Sequence, residues 1–156
     1  MAAGLLTYVL LGSPGLDGIK NGSTPATLHE QFEQFVAAGH PVEPWAPTNP
    51  EDAVSGGVAW DDELNTGYME ISGLPTNDPK VEQYQLWIFR TGDPTSEPHP
   101  VDGGVFDVTS GDQVIVPIDA KLNVGHASIF AITIEEPGGV VVSDRTRLPL
   151  LAKRSS

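Results

Sequence analysis

Along this chain of 156 residues the apolar positions change texture near residue 54. Before that point only one stretch repeats with a helical period. Leu28, Phe32, Phe35 and Val36 fall on one face of a 3.6-residue repeat, Thr27 and Glu30 have the spacing of a capping box, and Gly39 is placed to stop the turn. The pattern predicts a helix over 27–38 whose apolar stripe lies on the domain's own core. Its flanks read as turns: Gly12-Ser13-Pro14-Gly15, Asn21-Gly22-Ser23, and a connector over 40–52 carrying Pro41, Pro44, Pro47 and Pro50 around Trp45.

From Val54 onward the period becomes two. Val58-Ala59-Trp60 and the alternating run Tyr68 to Leu74 flank Asp61-Asp62-Glu63 and Asn65-Thr66-Gly67, which predicts a hairpin. Gln83 to Arg90 is apolar on both faces, with Tyr84, Leu86 and Ile88 on one and Trp87 and Phe89 on the other, as expected of a central strand covered twice. Gly104 to Val108 and Gln113 to Ile118 flank Ser110-Gly111-Asp112 and read as a second hairpin, in which Pro117 marks an edge because it has no amide to donate. Ser128 to Glu135 is a further two-faced strand, and a last one runs from Arg147 to Ala152. Six to seven short strands with turns between them predict an all-β fold, an antiparallel β-sandwich with one N-terminal helix. Residues 54–152 form the sandwich, and 13–53 a stalk or connector.

Composition narrows the functional classes. Eight Lys and Arg against 21 Asp and Glu leave a formal charge of −13, and so acidic a surface repels phosphate backbones, so no nucleic-acid partner is expected. Without cysteine there is no disulfide, thiolate metal site or thiol nucleophile. The 17 glycines and 14 prolines, about a fifth of the chain, are spread between the apolar runs as turn formers. Residues 1–12 are apolar apart from Thr7 and Tyr8, too short a run for the roughly 20 residues a membrane helix needs. It reads as an element packed on the domain, a signal peptide without its basic start, or the outer end of a membrane segment.

Candidate chemistry is sparse. His29, His40, His99 and His126 lack the spacing of a zinc site, and Asp61-Asp62-Glu63 lacks the alternating ladder of a calcium loop and reads as a charged hairpin tip. Glu135 and Glu136 are adjacent, so in a strand they point to opposite faces and do not form an acid–base pair. No nucleophile elbow or phosphate-cradling loop occurs. The expectation is no catalysis, no cofactor and no metal.

Five short strings, in order, carry a resemblance. They are Gly56-Gly57-Val58-Ala59-Trp60; Ser72-Gly73-Leu74-Pro75; Tyr84-Gln85-Leu86-Trp87-Ile88; Gly103-Gly104-Val105-Phe106; and Phe130-Ala131-Ile132-Thr133-Ile134-Glu135-Glu136-Pro137-Gly138-Gly139, followed by Val140-Val141-Val142. Over residues 54 to 151 the chain resembles the C-terminal extracytoplasmic domain of the anti-sigma-K factor family. It departs from that pattern in a longer insertion between Thr91 and Asp102, containing His99, and in residues 13–53, which have no counterpart.

The resemblance implies an extracytoplasmic regulatory domain of a single-pass protein of the cell membrane. Its partners would be a sigma factor, held by a cytoplasmic part outside these residues, and a membrane protease acting near the stalk. It also implies a short closing valine strand at 140–142. The motif residues themselves read as fold-specifying. Gly73 bends the chain, Leu74 plugs the core, Pro75 ends pairing, and the Glu136-to-Gly139 turn uses positive φ. The competing expectation is a secreted carbohydrate- or ligand-binding sandwich using Trp45, Tyr68 and the 91–102 loop as a surface site.

Overall fold

Strand Gln83–Phe89 organises the molecule, because both of its faces are apolar and both are covered. In the computed structural model, which describes residues 25–155, it lies inside a five-stranded antiparallel sheet. The expected apolar element at 1–12 and the turn formers at 12–15 and 21–23 lie outside the described residues. In chain order the elements are α1 (Leu28–Ala37), β1 (Val42–Pro44), β2 (Ala46–Pro47), β3 (Ser55–Asp61), β4 (Thr66–Ser72), β5 (Gln83–Phe89), β6 (Val101–Phe106), β7 (Val114–Ile118), β8 (Ile129–Glu135) and β9 (Leu150–Lys153). One sheet has the order β1-β3-β4-β7 and the other β2-β9-β8-β5-β6. Among the described residues the fold is a β-sandwich of nine strands with one α-helix.

Between the sheets, Val58, Trp60, Met69 and Ile71 meet Tyr84, Leu86, Ile88, Phe106, Phe130, Ile132 and Leu150. Trp60 and Phe130 touch across the gap at 5.9 Å between ring centroids, and Tyr84 stacks on Phe106 at 5.5 Å. A smaller core lies on the opposite face of the five-stranded sheet, where Val140, Leu148 and Leu151 pack on Trp87, Phe89, Ile129 and Ala131. The alternation of Tyr84, Leu86 and Ile88 against Trp87 and Phe89 thus divides β5 between two cores, as its pattern required.

The helix follows its sequence signals. The Thr27 hydroxyl accepts from the Glu30 amide (3.2 Å) while the Glu30 carboxylate accepts from the Thr27 amide (2.7 Å), closing the capping box. That amide bond holds the Glu30 carboxyl below its ordinary pKa. Phe32 is buried, and Phe35 lies edge-on to Tyr68 (5.4 Å) and stacks on His40 (4.2 Å). The Tyr68 hydroxyl donates to Gln31 (3.2 Å), so the helix is fixed to the outer face of the four-stranded sheet.

Three expectations are corrected. Residues 40–52 are not a free connector and the domain does not begin at 54: β1 pairs with β3 and β2 with β9, one strand in each sheet. Trp45 stands between them and is 6% exposed, with its indole N–H donating to the Glu70 carbonyl (3.1 Å). The prolines fit because both strands are sheet edges. These two strands account for the difference between seven expected and nine observed.

The second correction concerns the hairpin expected around Ser110-Gly111-Asp112. β6 pairs with β5 whereas β7 pairs with β4, so 107–113 crosses between the sheets. The cause is Asn77, whose side-chain oxygen accepts from the Val108 amide (2.8 Å) and whose amide nitrogen donates to Asp107 (2.7 Å). The Asn77 backbone N–H also donates to the Val108 carbonyl (3.1 Å). Captured there, the chain leaving β6 does not turn back on itself.

Thirdly, residues 140–142 form no strand; Val140 packs on the outer core and Val141 is 94% exposed. The backbone groups of Val140 that a strand would pair are both taken by the Gln85 side chain, as described below.

Replacing Met69, buried in the inter-sheet core, by Ala is expected to lower the unfolding free energy by about 2–5 kcal/mol. Val141→Ala should change it by less than about 0.5 kcal/mol. Urea denaturation of the two variants checks the contrast.

Candidate functional site

The motif residues divide among three environments. Trp60, Leu74, Tyr84, Leu86, Phe106 and Phe130 are inter-sheet core. Gly73, Pro75 and Gly104 shape the backbone. Gly73 has φ +88°, and a Cβ there would sit 2.2 Å from the Ala53 carbonyl oxygen, so the bend after β4 requires glycine. The Pro75 carbonyl accepts from the Tyr84 hydroxyl (2.8 Å). Gly104 lies opposite Leu86, beside the point where the β5–β6 register shifts.

The third group converges from two separate strings, 84–88 and 130–139, onto the outer face of the five-stranded sheet. Gln85, 1% exposed, donates to the Val140 carbonyl (3.0 Å) and accepts from the Val140 amide (2.8 Å). Gln83 accepts from the Gly138 amide (2.8 Å). The Trp87 indole donates to the buried Thr133 hydroxyl (2.9 Å). Glu135 accepts from the Ser143 hydroxyl. Pro137, Gly138 and Gly139 carry the chain over this face, Gly138 at φ +89° and Gly139 at φ +75°. A Cβ on Gly139 would lie 2.7 Å from the Gln85 side-chain oxygen, so glycine lets that amide reach the backbone beyond it. The result is a lock in which glutamine side chains of β5 stand in for a missing strand, and among the described residues no buried side-chain nitrogen or oxygen is left unpaired.

Two further tethers carried little sequence signal. Arg145, at φ +60°, donates to the carbonyls of Pro94 (2.6 Å) and Glu97 (2.7 Å) and lies 5.0 Å from the Phe89 ring centroid. It clamps the 91–100 insertion to the 143–147 loop over the same face.

Asp62, expected as part of an exposed tip, is turned inward. It accepts from the Trp60 indole (2.8 Å), the Ala127 amide (2.9 Å), Arg154 (2.7 Å) and the ring of His126 (2.9 Å). Burial pushes its carboxyl upward, but the bonds from Ala127, Arg154 and His126 outweigh that and hold it below the ordinary value. Its neighbour Asp61 accepts from the Glu63 and Leu64 amides and faces His40 at 3.3 Å. These carboxylates are occupied by protein donors. Among the described residues no group of three His, Cys, Asp or Glu side chains is placed to hold a metal.

The aromatic pair expected at a surface ligand site is differently used: Trp45 is core and Tyr68 is half-buried under Phe35. One of several surface concavities lies where Gly73, Leu74, Pro75 and Tyr84 meet Ile134 and Pro149, a cleft of about 310 Å³. Among the described residues no helix is long and apolar enough to cross a membrane. No family model, curated protein or solved structure matches the chain.

Replacing Gln85 by Met keeps similar bulk but orphans the Val140 amide and carbonyl. It is expected to cost about 2–4 kcal/mol and to speed hydrogen exchange at Val140, both measurable by NMR on the labelled chain. Asp62, with its folded pKa lowered, contributes stability above the ordinary value of 3.8. That contribution is lost as pH falls through the lowered value. The stability gap between wild type and Asp62→Asn, followed by urea denaturation, should therefore be flat above about pH 5 and narrow below about pH 4.

Proposed function

We propose that this sandwich is the non-catalytic extracytoplasmic domain of a membrane-bound anti-sigma factor. Its cytoplasmic part would hold a sigma factor inactive, and cleavage near the outer face of the membrane would release it. The observation that carries the reading is the lock: Gln85, Trp87, Thr133, Gly138 and Gly139, all positions of the resemblance, come from two separate strings and meet on one face, where Gln85 holds the loop at Val140. The same strings that suggest the family therefore have a shared structural task here, a task of fold maintenance and not of catalysis.

Protection of the stalk is the mechanism this geometry favours. Proteases require a locally extended, accessible backbone. Helix α1 and strands β1 and β2, which lie in the expected stalk, are folded onto the sandwich through Phe35, Tyr68 and Trp45. A protease would reach residues 28–47 only when the sandwich loosens.

The test is made in the cell that encodes the chain, with the complete gene product and a sigma-dependent reporter. Trp87→Ala removes an aromatic from the outer core, a change of about 3–5 kcal/mol. It is expected to accelerate cleavage of the membrane protein and raise the reporter several-fold. If the variant domain is unfolded by circular dichroism, and cleavage and reporter both stay at wild-type levels, the reading fails.

A further inference from the structure

The cleft at one end of the sandwich has a chemistry of its own. It opens where β4 ends, β5 begins and β8 ends, because the bend at Gly73 and the missing amide of Pro75 stop the sheets from continuing to pair. Leu74 and Tyr84 are buried beneath it, and Pro75, Ile134 and Pro149 form its sides. The Tyr84 hydroxyl already donates to the Pro75 carbonyl, so the surface offered to a ligand is mostly carbon.

The rim is anionic. Glu51 and Asp52 line it, and no Lys or Arg does. Their turn is fixed by Asn49, which donates to the Asp52 carboxylate (3.1 Å) and accepts from the Glu51 amide (3.3 Å). On the adjoining surface Arg147 is paired with Glu82 at 2.6 Å. A net charge of −13 adds a field that draws cations to the whole molecule and is focused by a concave, low-dielectric wall.

We infer that this cleft docks a short peptide segment of a partner protein, one that inserts an apolar side chain between Pro75, Tyr84 and Pro149 and sets flanking Lys or Arg against Glu51 and Asp52. The volume, about 310 Å³, stands at the lower end of the roughly 300–1,000 Å³ of small-ligand sites. It suits one or two side chains and not a nucleotide or haem-sized group. The occupant is cationic because an anionic or uncharged segment would gain nothing from the rim and would meet the field of the whole chain. The inference stands on the cleft alone and is independent of the regulatory reading above.

The experiment uses the ¹⁵N-labelled chain titrated with three blocked tripeptides, Lys-Leu-Lys, Lys-Gly-Lys and Glu-Leu-Glu. Lys-Leu-Lys is expected to shift the amide signals of Val54, Leu74, Tyr84 and Ile134. Binding should be about tenfold weaker for Lys-Gly-Lys, which lacks the buried side chain, and undetectable for Glu-Leu-Glu. The double variant Glu51→Gln, Asp52→Asn, both exposed positions, should bind Lys-Leu-Lys about fivefold more weakly with its spectrum otherwise unchanged. The inference is overturned by any of three results: equal binding of Lys-Leu-Lys and Lys-Gly-Lys, shifts scattered over the acidic surface away from the cleft, or no shift at millimolar peptide.

Discussion

Strand β5 must be dry on both faces, and most of the architecture answers that demand. On its inner side Tyr84, Leu86 and Ile88 are met by the four-stranded sheet, an ordinary solution in which two half-apolar sheets close on each other. On its outer side Trp87 and Phe89 have no second sheet to meet. Loops cover them, and loops carry backbone polar groups that cannot be buried unpaired. The amides of Gln83 and Gln85 and the guanidinium of Arg145 supply those partners, while the Thr133 hydroxyl receives the Trp87 indole. The outer cover is thus a side-chain-to-backbone construction, where the inner one is a matter of apolar area.

The same economy explains the ends of the sandwich. Trp45 is the corner at which the chain passes from one sheet to the other, its ring in the core and a two- or three-residue strand on either side. Asp62 ties the β3–β4 turn to the Ala127 loop and to Arg154 just beyond β9. Asn77 ties the end of β6 to the segment preceding β5. Each is a single polar or amphipathic side chain joining segments far apart in the chain. Among the described residues no buried side-chain nitrogen or oxygen lacks a hydrogen-bond partner.

Its surface carries what remains for function. The acidic charge is spread over turns and strand ends, and carboxylates with several donors, Asp61, Asp62, Glu97 and Asp107 among them, are engaged in holding the fold. At the Glu51–Asp52 rim a concavity meets exposed acidic side chains, beside residues that also carry the resemblance. The cleft shares Leu74 and Tyr84 with the inter-sheet core, and its Val54 and Ile134 pack against that core from the edge.

Period and capping made the helix over 28–37, the β3–β4 hairpin, the two faces of β5 and the all-β class legible without coordinates, because those features depend on neighbours within a few positions of one another. The candidate site was legible only in part. Gln85 and Gly139 were visible as members of strings, but their contact spans segments more than fifty positions apart, and no local pattern encodes it. The same holds for Asp62, which looked like one more acid at a hairpin tip. Adjacency misled where a long-range polar bond decided the path: Asn77 diverts the chain after β6, Gln85 consumes the backbone of Val140, and the prolines around Trp45 mark sheet edges and not a loose tether. Local patterning thus set which segments are strands and which faces are dry, while the partner of each strand and the cover of each face were decided by hydrogen bonds and packing that exist only once distant segments meet.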